Sequence, residues 1–170
     1  MMRIALVAIF FWAIQAKAQN EKLTTFILLR HAEKVVDGTM ADKTKDPDLS
    51  EAGKARAESL VSLFKNTSIS AIYSTPFVRT RKTVEPLANS KSLIIKEYEA
   101  NKLDAIDKML KEHEGKTIVV CGHSNTIPKI ANYLSGSGNY KDFDETDYGN
   151  ILIITISSKK KTASVTWLHF

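Results

Sequence analysis

Thr24-Thr25-Phe26-Ile27-Leu28-Leu29-Arg30-His31-Ala32-Glu33-Lys34 is the stretch that decides the architecture of this chain. A short, nearly continuous apolar run stops abruptly at an arginine and a histidine. Such a run is the pattern of a strand buried on both faces, as in a parallel sheet covered by helices. The strand delivers Arg30 and His31 at its carboxyl end, where open α/β sheets gather their ligands.

Working outward, residues 35–48 are rich in Asp, Lys, Thr, Gly and Pro and read as a loop. Ser50 is placed to cap a helix running to about Lys65, with Ala52, Ala55, Leu60, Leu63 and Phe64 expected on its apolar side. Ser70–Tyr73 reads as a short strand. Thr75-Pro76 is expected to open a helix through about Ala88, bent or ended early by Pro86. A strand over Ser92–Lys96, a helix over Lys102–Glu112, a strand over Lys116–Cys121 and a helix over Thr126–Leu134 follow. Ile151–Ile156 and Ser164–Leu168 close the chain as two strands around the basic turn Lys159-Lys160-Lys161. Strand and helix alternate, so the expected fold is α/β: a three-layer αβα sandwich with a mostly parallel central sheet and an edge hairpin at the C-terminus.

The first residues, MMRIALVAIFFWAIQAKAQN, place Arg3 before an apolar stretch from Ile4 to about Ile14, followed by Ala16-Lys17-Ala18. Charge, apolar run and small-residue site in that order predict a secretory signal peptide over residues 1–18, cleaved after Ala18. The run is shorter than the roughly 20 residues of a bilayer span. No cysteine lies near the cleavage point to take a lipid, so the expectation is a periplasmic or secreted protein without a stable membrane anchor. Removing 18 of the 170 residues leaves 152, and losing Arg3 and Lys17 takes the formal charge from +5 to +3. A single domain over residues 19–170 follows, large enough for its own core.

Cys121 is the only cysteine, so no internal disulfide can form, and its neighbours Ile118-Val119-Val120 mark it as a buried structural thiol. The small positive excess, without a basic stripe interleaved with aromatics, argues against nucleic-acid binding. Asp and Glu do not cluster with His31 or His123 at ligand-like spacing, so neither a metal nor another cofactor is expected. Nothing in the pattern sets the oligomeric state.

Two strand ends contribute Arg30, His31 and His123, and Arg79 follows one turn into the helix after the second strand. Two histidines and two arginines together suit phosphoryl transfer, which needs a nucleophile and fixed cations around the phosphoryl oxygens. The planar fork of arginine donates two hydrogen bonds to one phosphate. Ser124 and Asn125 lie at the start of the helix after His123, where backbone amides favour an anion; Ser124 could equally be the helix cap. Arg81 points away from Arg79 on the same helix and reads as a surface residue. His113 and His169 read as ordinary polar residues. Glu33 and Lys34 are placed to reach substrate, to stand as solvated loop charges or to pair with each other.

Arg30-His31-Ala32-Glu33-Lys34 resembles the R-H-[GA]-E motif of the histidine phosphatase superfamily, which includes the cofactor-dependent phosphoglycerate mutases and small phosphohistidine phosphatases. Leu49-Ser50-Glu51-Ala52-Gly53 is similar to its L-[ST]-x-x-G helix start, and Ser74 through Thr83, ending R-T-x-x-T at Arg79–Thr83, is similar to its R-[AT]-x-x-T block. Gly122-His123-Ser124-Asn125-Thr126 resembles its second-histidine motif, and the four blocks stand in the family's order. The resemblance implies a phosphoglycerate mutase-like fold in which His31 attacks phosphorus and is transiently phosphorylated. It implies that Arg30 and Arg79 hold the phosphoryl oxygens and that His123 donates to one of them. A nucleophilic His31 must keep one ring nitrogen free, with the other donating to a fixed acceptor such as a backbone carbonyl.

The family's general acid, often a glutamate after the third strand, has no clear motif here. Glu99 is the candidate, with Asp104 behind it; a good leaving group such as phosphohistidine needs little acid help. Between Arg79 and His123 there is little room for the inserted segments that enclose substrate in the mutases, so net hydrolysis is expected: a metal-independent phosphatase acting on a small phosphorylated substrate. A phosphohistidine-protein phosphatase and a non-catalytic phosphate binder are the alternatives. Residues 35–48 and 135–149, the latter with Tyr140, Phe143 and Tyr148, are candidate substrate walls, although those aromatics could equally be local packing.

Overall fold

The computed structural model describes residues 21–36, 46–157 and 162–170. The expected signal peptide, most of the 35–48 loop and the turn at Lys159–Lys161 lie outside the described residues. Strand β1 covers Leu23–Arg30. Its period-2 alternation sends Phe26 and Leu28 to one face of the sheet and Ile27 and Leu29 to the other, all of them buried. Each contributes about 1.5–3 kcal/mol by leaving water.

The chain continues through α1 (Glu51–Leu63), β2 (Ala71–Ser74), α2 (Val78–Ser90), β3 (Ile95–Glu97), α3 (Asp104–Glu112), β4 (Thr117–Gly122), α4 (Thr126–Ser135), β5 (Asn150–Ser157) and β6 (Ala163–His169). The six strands form one sheet in the order β3-β2-β4-β1-β5-β6. β3, β2, β4 and β1 run parallel, while β5 joins β1 antiparallel and pairs with β6 as the edge hairpin. Ile106 and Met109 of α3 and Ile127 and Ile130 of α4 pack with Phe26 and Leu28. On the opposite face Leu60 of α1 and Val84 and Leu87 of α2 pack with Ile27 and Leu29. The expected three-layer α/β sandwich and mostly parallel sheet are what the chain adopts.

Two local expectations are corrected. Helix α1 is capped by Ser50, whose hydroxyl accepts from the Gly53 amide, as expected, but it buries Gly53, Ala57 and Leu60. Ala52, Ala55 and Leu63 are exposed. The phase is set by Gly53, where a Cβ would stand 2.1 Å from the Glu33 carbonyl oxygen. Only a glycine lets the helix seat that close to the segment after His31.

Helix α2 begins at Val78 rather than Thr75 and runs through Pro86 to Ser90. Phe77 offers no side-chain cap; Asp46 supplies one instead, accepting the Val78 amide at 2.7 Å. Pro86 stands away from the core side, as does exposed Lys82, whose carbonyl loses its intrahelical donor where water can replace it.

Candidate active site

Strand register brings three carboxyl ends level. Arg30 of β1 lies opposite Gly122 of β4, and Ser74 of β2 opposite Cys121. One residue further on, the His31 amide donates to the Gly122 carbonyl at 2.9 Å. The rings of His31 and His123 consequently meet edge to face, centroids 5.5 Å apart.

His31 is 5% exposed, and its Nδ1 lies 2.8 Å from the carbonyl oxygen of Ala32. A carbonyl can only accept, so Nδ1 carries the proton and Nε2 keeps its lone pair. Nε2 has no hydrogen-bond partner among the described residues. Burial, reinforced by the charges of Arg30 and Arg79, lowers the pKa of His31 to about 3, against the pull of the Ala32 bond. The ring is therefore neutral at ordinary pH, the state a nucleophile requires.

His123 is also held neutral, its pKa lowered to about 4 by burial and then by Arg79 and Arg30, with Asp46 and Glu145 opposing. Its Nδ1 faces Arg79 Nη2 at 3.5 Å. Arginine has only donors, so Nδ1 accepts and Nε2–H donates to Thr75 Oγ1 at 3.1 Å. The donation expected toward a phosphoryl oxygen is directed in this structure to Thr75. Arg79 is also paired with Asp46, Nη1 to Oδ1 at 3.1 Å, and stacks over Phe77 at 4.4 Å.

Arg30 is buried and more deeply engaged than the sequence suggests. Its Nη1 donates to the carbonyls of Asp144 (2.6 Å) and Asp147 (2.9 Å), and its Nη2 to the carbonyl (3.0 Å) and carboxylate (3.1 Å) of Glu145. Its guanidinium covers the Tyr148 ring at 4.2 Å, and Tyr148 in turn lies 5.9 Å from the His31 ring. Nε is buried without a partner among the described residues, which makes it the donor left for an anion. Arg30 thus fastens the segment before β5 to the site.

A cleft of about 460 Å³ opens over His31, with Arg79, His123, Lys34 and the expected Ser124 and Asn125 on its walls, together with Glu145 and Asp142. Ser124 is not the helix cap; Asn125 occupies that position, and the Ser124 hydroxyl donates to Glu145 Oε1 at 2.7 Å. Glu99 lies in an adjoining cleft that meets the first at Arg79, His123 and Asn125, and its carboxylate is paired with Lys102 at 2.9 Å. Asp104 stands further along, in a larger cleft between β3 and α3 that Glu99 also borders.

Glu33 is paired with Arg56 rather than with Lys34: Arg56 binds it through Nε and Nη2 at 2.7–3.0 Å. Arg81 pairs with Glu97 on the surface. His113 bonds Tyr73 at 2.9 Å and His169 bonds Asp147 at 2.8 Å, both outside the cleft. Cys121 is fully buried, which raises its thiol pKa. Tyr140 and Phe143 pack against Trp167, leaving Tyr148 as the loop aromatic at the site. Among the described residues no group of three or more His, Cys, Asp or Glu is placed to hold a metal ion, and no helix is long and apolar enough to cross a membrane.

Sequence reasoning gave no role to Thr75, Thr83, Asp46 and Glu145. The two threonines lie inside the block running from Ser74 to Thr83, whose resemblance to a family motif was the available signal. The two acids lie in loops, where nothing in the spacing separates them from neighbouring acids.

Residues 26–102 match the model of the histidine phosphatase superfamily, branch 1. No curated protein matches the chain by sequence. Among solved structures it is similar to Bacillus stearothermophilus YhfR (TM-score 0.68, 17% identity, covering 84% of this chain and 95% of that one). It is also similar to the protein histidine phosphatase SixA complexed with tungstate (0.67, 14%, 85% and 96%). The alpha-ribazole phosphatase of Shigella flexneri is a third likeness (0.66, 14%, 86% and 96%). The four ordered motifs, the fold and this match over residues 26–102 all make the chain similar to the histidine phosphatase superfamily.

Proposed function

We propose that the chain hydrolyses phosphomonoesters, or related phosphoryl compounds, through a phosphohistidine on His31. One observation carries the reading: the Ala32 carbonyl fixes the Nδ1 proton of a buried, neutral His31 whose Nε2 has no hydrogen-bond partner among the described residues, beside Arg79 and His123. In the first step Nε2 bonds to phosphorus as the ester P–O bond breaks. In the second, water attacks phosphorus, the P–N bond breaks, and phosphate leaves with the histidine restored. Arg79, Arg30 Nε, His123 and the N-terminus of α4 are the donors proposed to hold the phosphoryl oxygens, whose charge spreads in such a transfer. Likeness to SixA and to an alpha-ribazole phosphatase supports phosphoryl hydrolysis without choosing a substrate.

The test is hydrolysis of p-nitrophenyl phosphate by the purified protein. We expect turnover that is unchanged by chelators, lost in His31→Ala, and accompanied by an acid-labile phosphoryl-enzyme on brief exposure to labelled substrate. Equal rates for wild type and His31→Ala would refute the nucleophile. No activity across sugar, nucleotide and protein phosphates would leave a phosphate-binding module. Residues 1–18 support an exported address; protein recovered outside the cytoplasm should begin at Gln19.

A further inference from the structure

Glu145 stands where the reaction needs a proton donor. It belongs to the segment between α4 and β5, and its carboxylate lines the same cleft as His31, Arg79 and His123. Its side chain is 77% exposed, so a ligand can reach it, yet both oxygens are fixed: Oε1 accepts from Ser124 Oγ at 2.7 Å and Oε2 from Arg30 Nη2 at 3.1 Å. The backbone beneath is held as firmly. Arg30 binds the carbonyls of residues 144, 145 and 147, and Asp144 folds back to accept the amide and hydroxyl of Thr146 at 2.8 and 2.6 Å.

We infer that Glu145 protonates the leaving oxygen of a phosphomonoester, an inference that rests on the phosphatase reading above. In-line transfer places the leaving oxygen opposite the attacking Nε2. His31, 5% exposed, lines the cleft at its buried side, so a leaving oxygen opposite Nε2 points toward the open side that exposed Glu145 also lines. Glu145 is the carboxylate there with an anchored position, and a donor must lie within hydrogen-bond reach of the atom it serves. Glu99, the acid expected from the sequence, lies in the adjoining cleft with its carboxylate on Lys102.

The proton balance closes. Glu145 enters the step carrying a proton taken from solvent. As the P–N bond forms and the P–O bond breaks, that proton passes to the departing alkoxide, which leaves as an alcohol. The carboxylate then takes a proton from the water that attacks the phosphohistidine, and exchange with solvent resets the cycle. Ser124 and Arg30 are positioning residues for this group.

The experiment compares kcat/KM on two esters, p-nitrophenyl phosphate, whose nitrophenolate leaves unaided, and glycerol 2-phosphate, whose alkoxide does not. Glu145→Gln should lower both, by about 100-fold or more on the alkyl ester and by less than about 5-fold on the aryl ester, since acid help is worth that much only to a poor leaving group. Added formate should restore part of the alkyl activity to Glu145→Ala, which guards against a variant that merely misfolds. Equal losses on the two esters, or no loss, would overturn the assignment. So would a gain on both esters with tighter inhibition by inorganic phosphate, which would make the carboxylate a competitor for Arg30. If these follow while His31→Ala still abolishes aryl hydrolysis, the phosphatase reading stands and Glu145 alone falls. Hydrolysis of neither ester by the wild type would remove both.

Discussion

Thr83 Oγ1 accepts the Ala32 amide at 2.8 Å and donates to the Arg79 carbonyl at 2.7 Å, so one hydroxyl couples the residue after His31 to the helix that carries Arg79. Ala32 is fully buried, and its amide has no water to fall back on. Thr83→Val keeps the shape and removes the acceptor. Leaving a buried donor unpaired should cost about 1–3 kcal/mol in chemical denaturation and lower kcat. Thr83→Ser should restore most of both; a Val variant as stable as wild type would contradict the coupling.

Gly53 allows the second close approach to the nucleophile segment. In Gly53→Ala the new methyl would meet the Glu33 carbonyl at 2.1 Å, and backbone rather than a flexible side-chain tip must move. We expect a loss of about 3 kcal/mol, at the upper end of overpacking costs, read as a lower denaturation midpoint. Activity should fall further than the folded fraction explains, because the displaced segment carries His31.

Asp46 competes for the arginine that the phosphate would use. Asp46→Asn keeps an acceptor for the Val78 amide and removes the negative charge that pairs with Arg79. KM for a phosphomonoester should fall roughly two- to fivefold, in line with a partly exposed ion pair, with kcat little altered. The effect should shrink as salt is added. A rise in KM would mean that Asp46 orients Arg79 rather than occupying it.

The two site histidines make the fold sensitive to acid. Both have folded-state pKa values lowered from 6.5, to about 3 for His31 and about 4 for His123. Below 6.5 the unfolded chain takes up protons that the folded chain refuses, so stability falls as pH drops from 6.5 toward 4 and then 3. Thermal midpoints should decline across that window, and replacing both histidines with glutamine should flatten the decline. A wild-type midpoint unchanged between pH 6.5 and 4 would contradict the burial of both rings as neutral groups.

The layout of the sheet and the gathering of His31, Arg79 and His123 were legible because both follow from local patterns. Apolar runs end at polar residues, and in a parallel sheet such ends come level. The phase of α1 was not legible, because it depends on Gly53 meeting a carbonyl twenty residues earlier. The hold on Arg30 was hidden for a different reason. Its partners are mainly main-chain carbonyls of residues 144–147, and every sequence has carbonyls. Position after the third strand points to Glu99, with Asp104 behind it, and nothing in the sequence points to Glu145, whose loop is set by that invisible backbone cradle. Pro86 was expected to end or bend α2, but it falls away from the core side, where losing one hydrogen bond is tolerable.

That cradle also sets when the protein can begin to work. His31 leaves the ribosome early, while the carbonyls that clasp its neighbour Arg30 arrive 114 to 117 residues after that arginine. A nascent chain thus carries His31 through most of its synthesis without the turn that secures Arg30 and places Glu145. The proposed chemistry can begin only when the last third of the chain has folded back onto the first, so its timing is written into the topology.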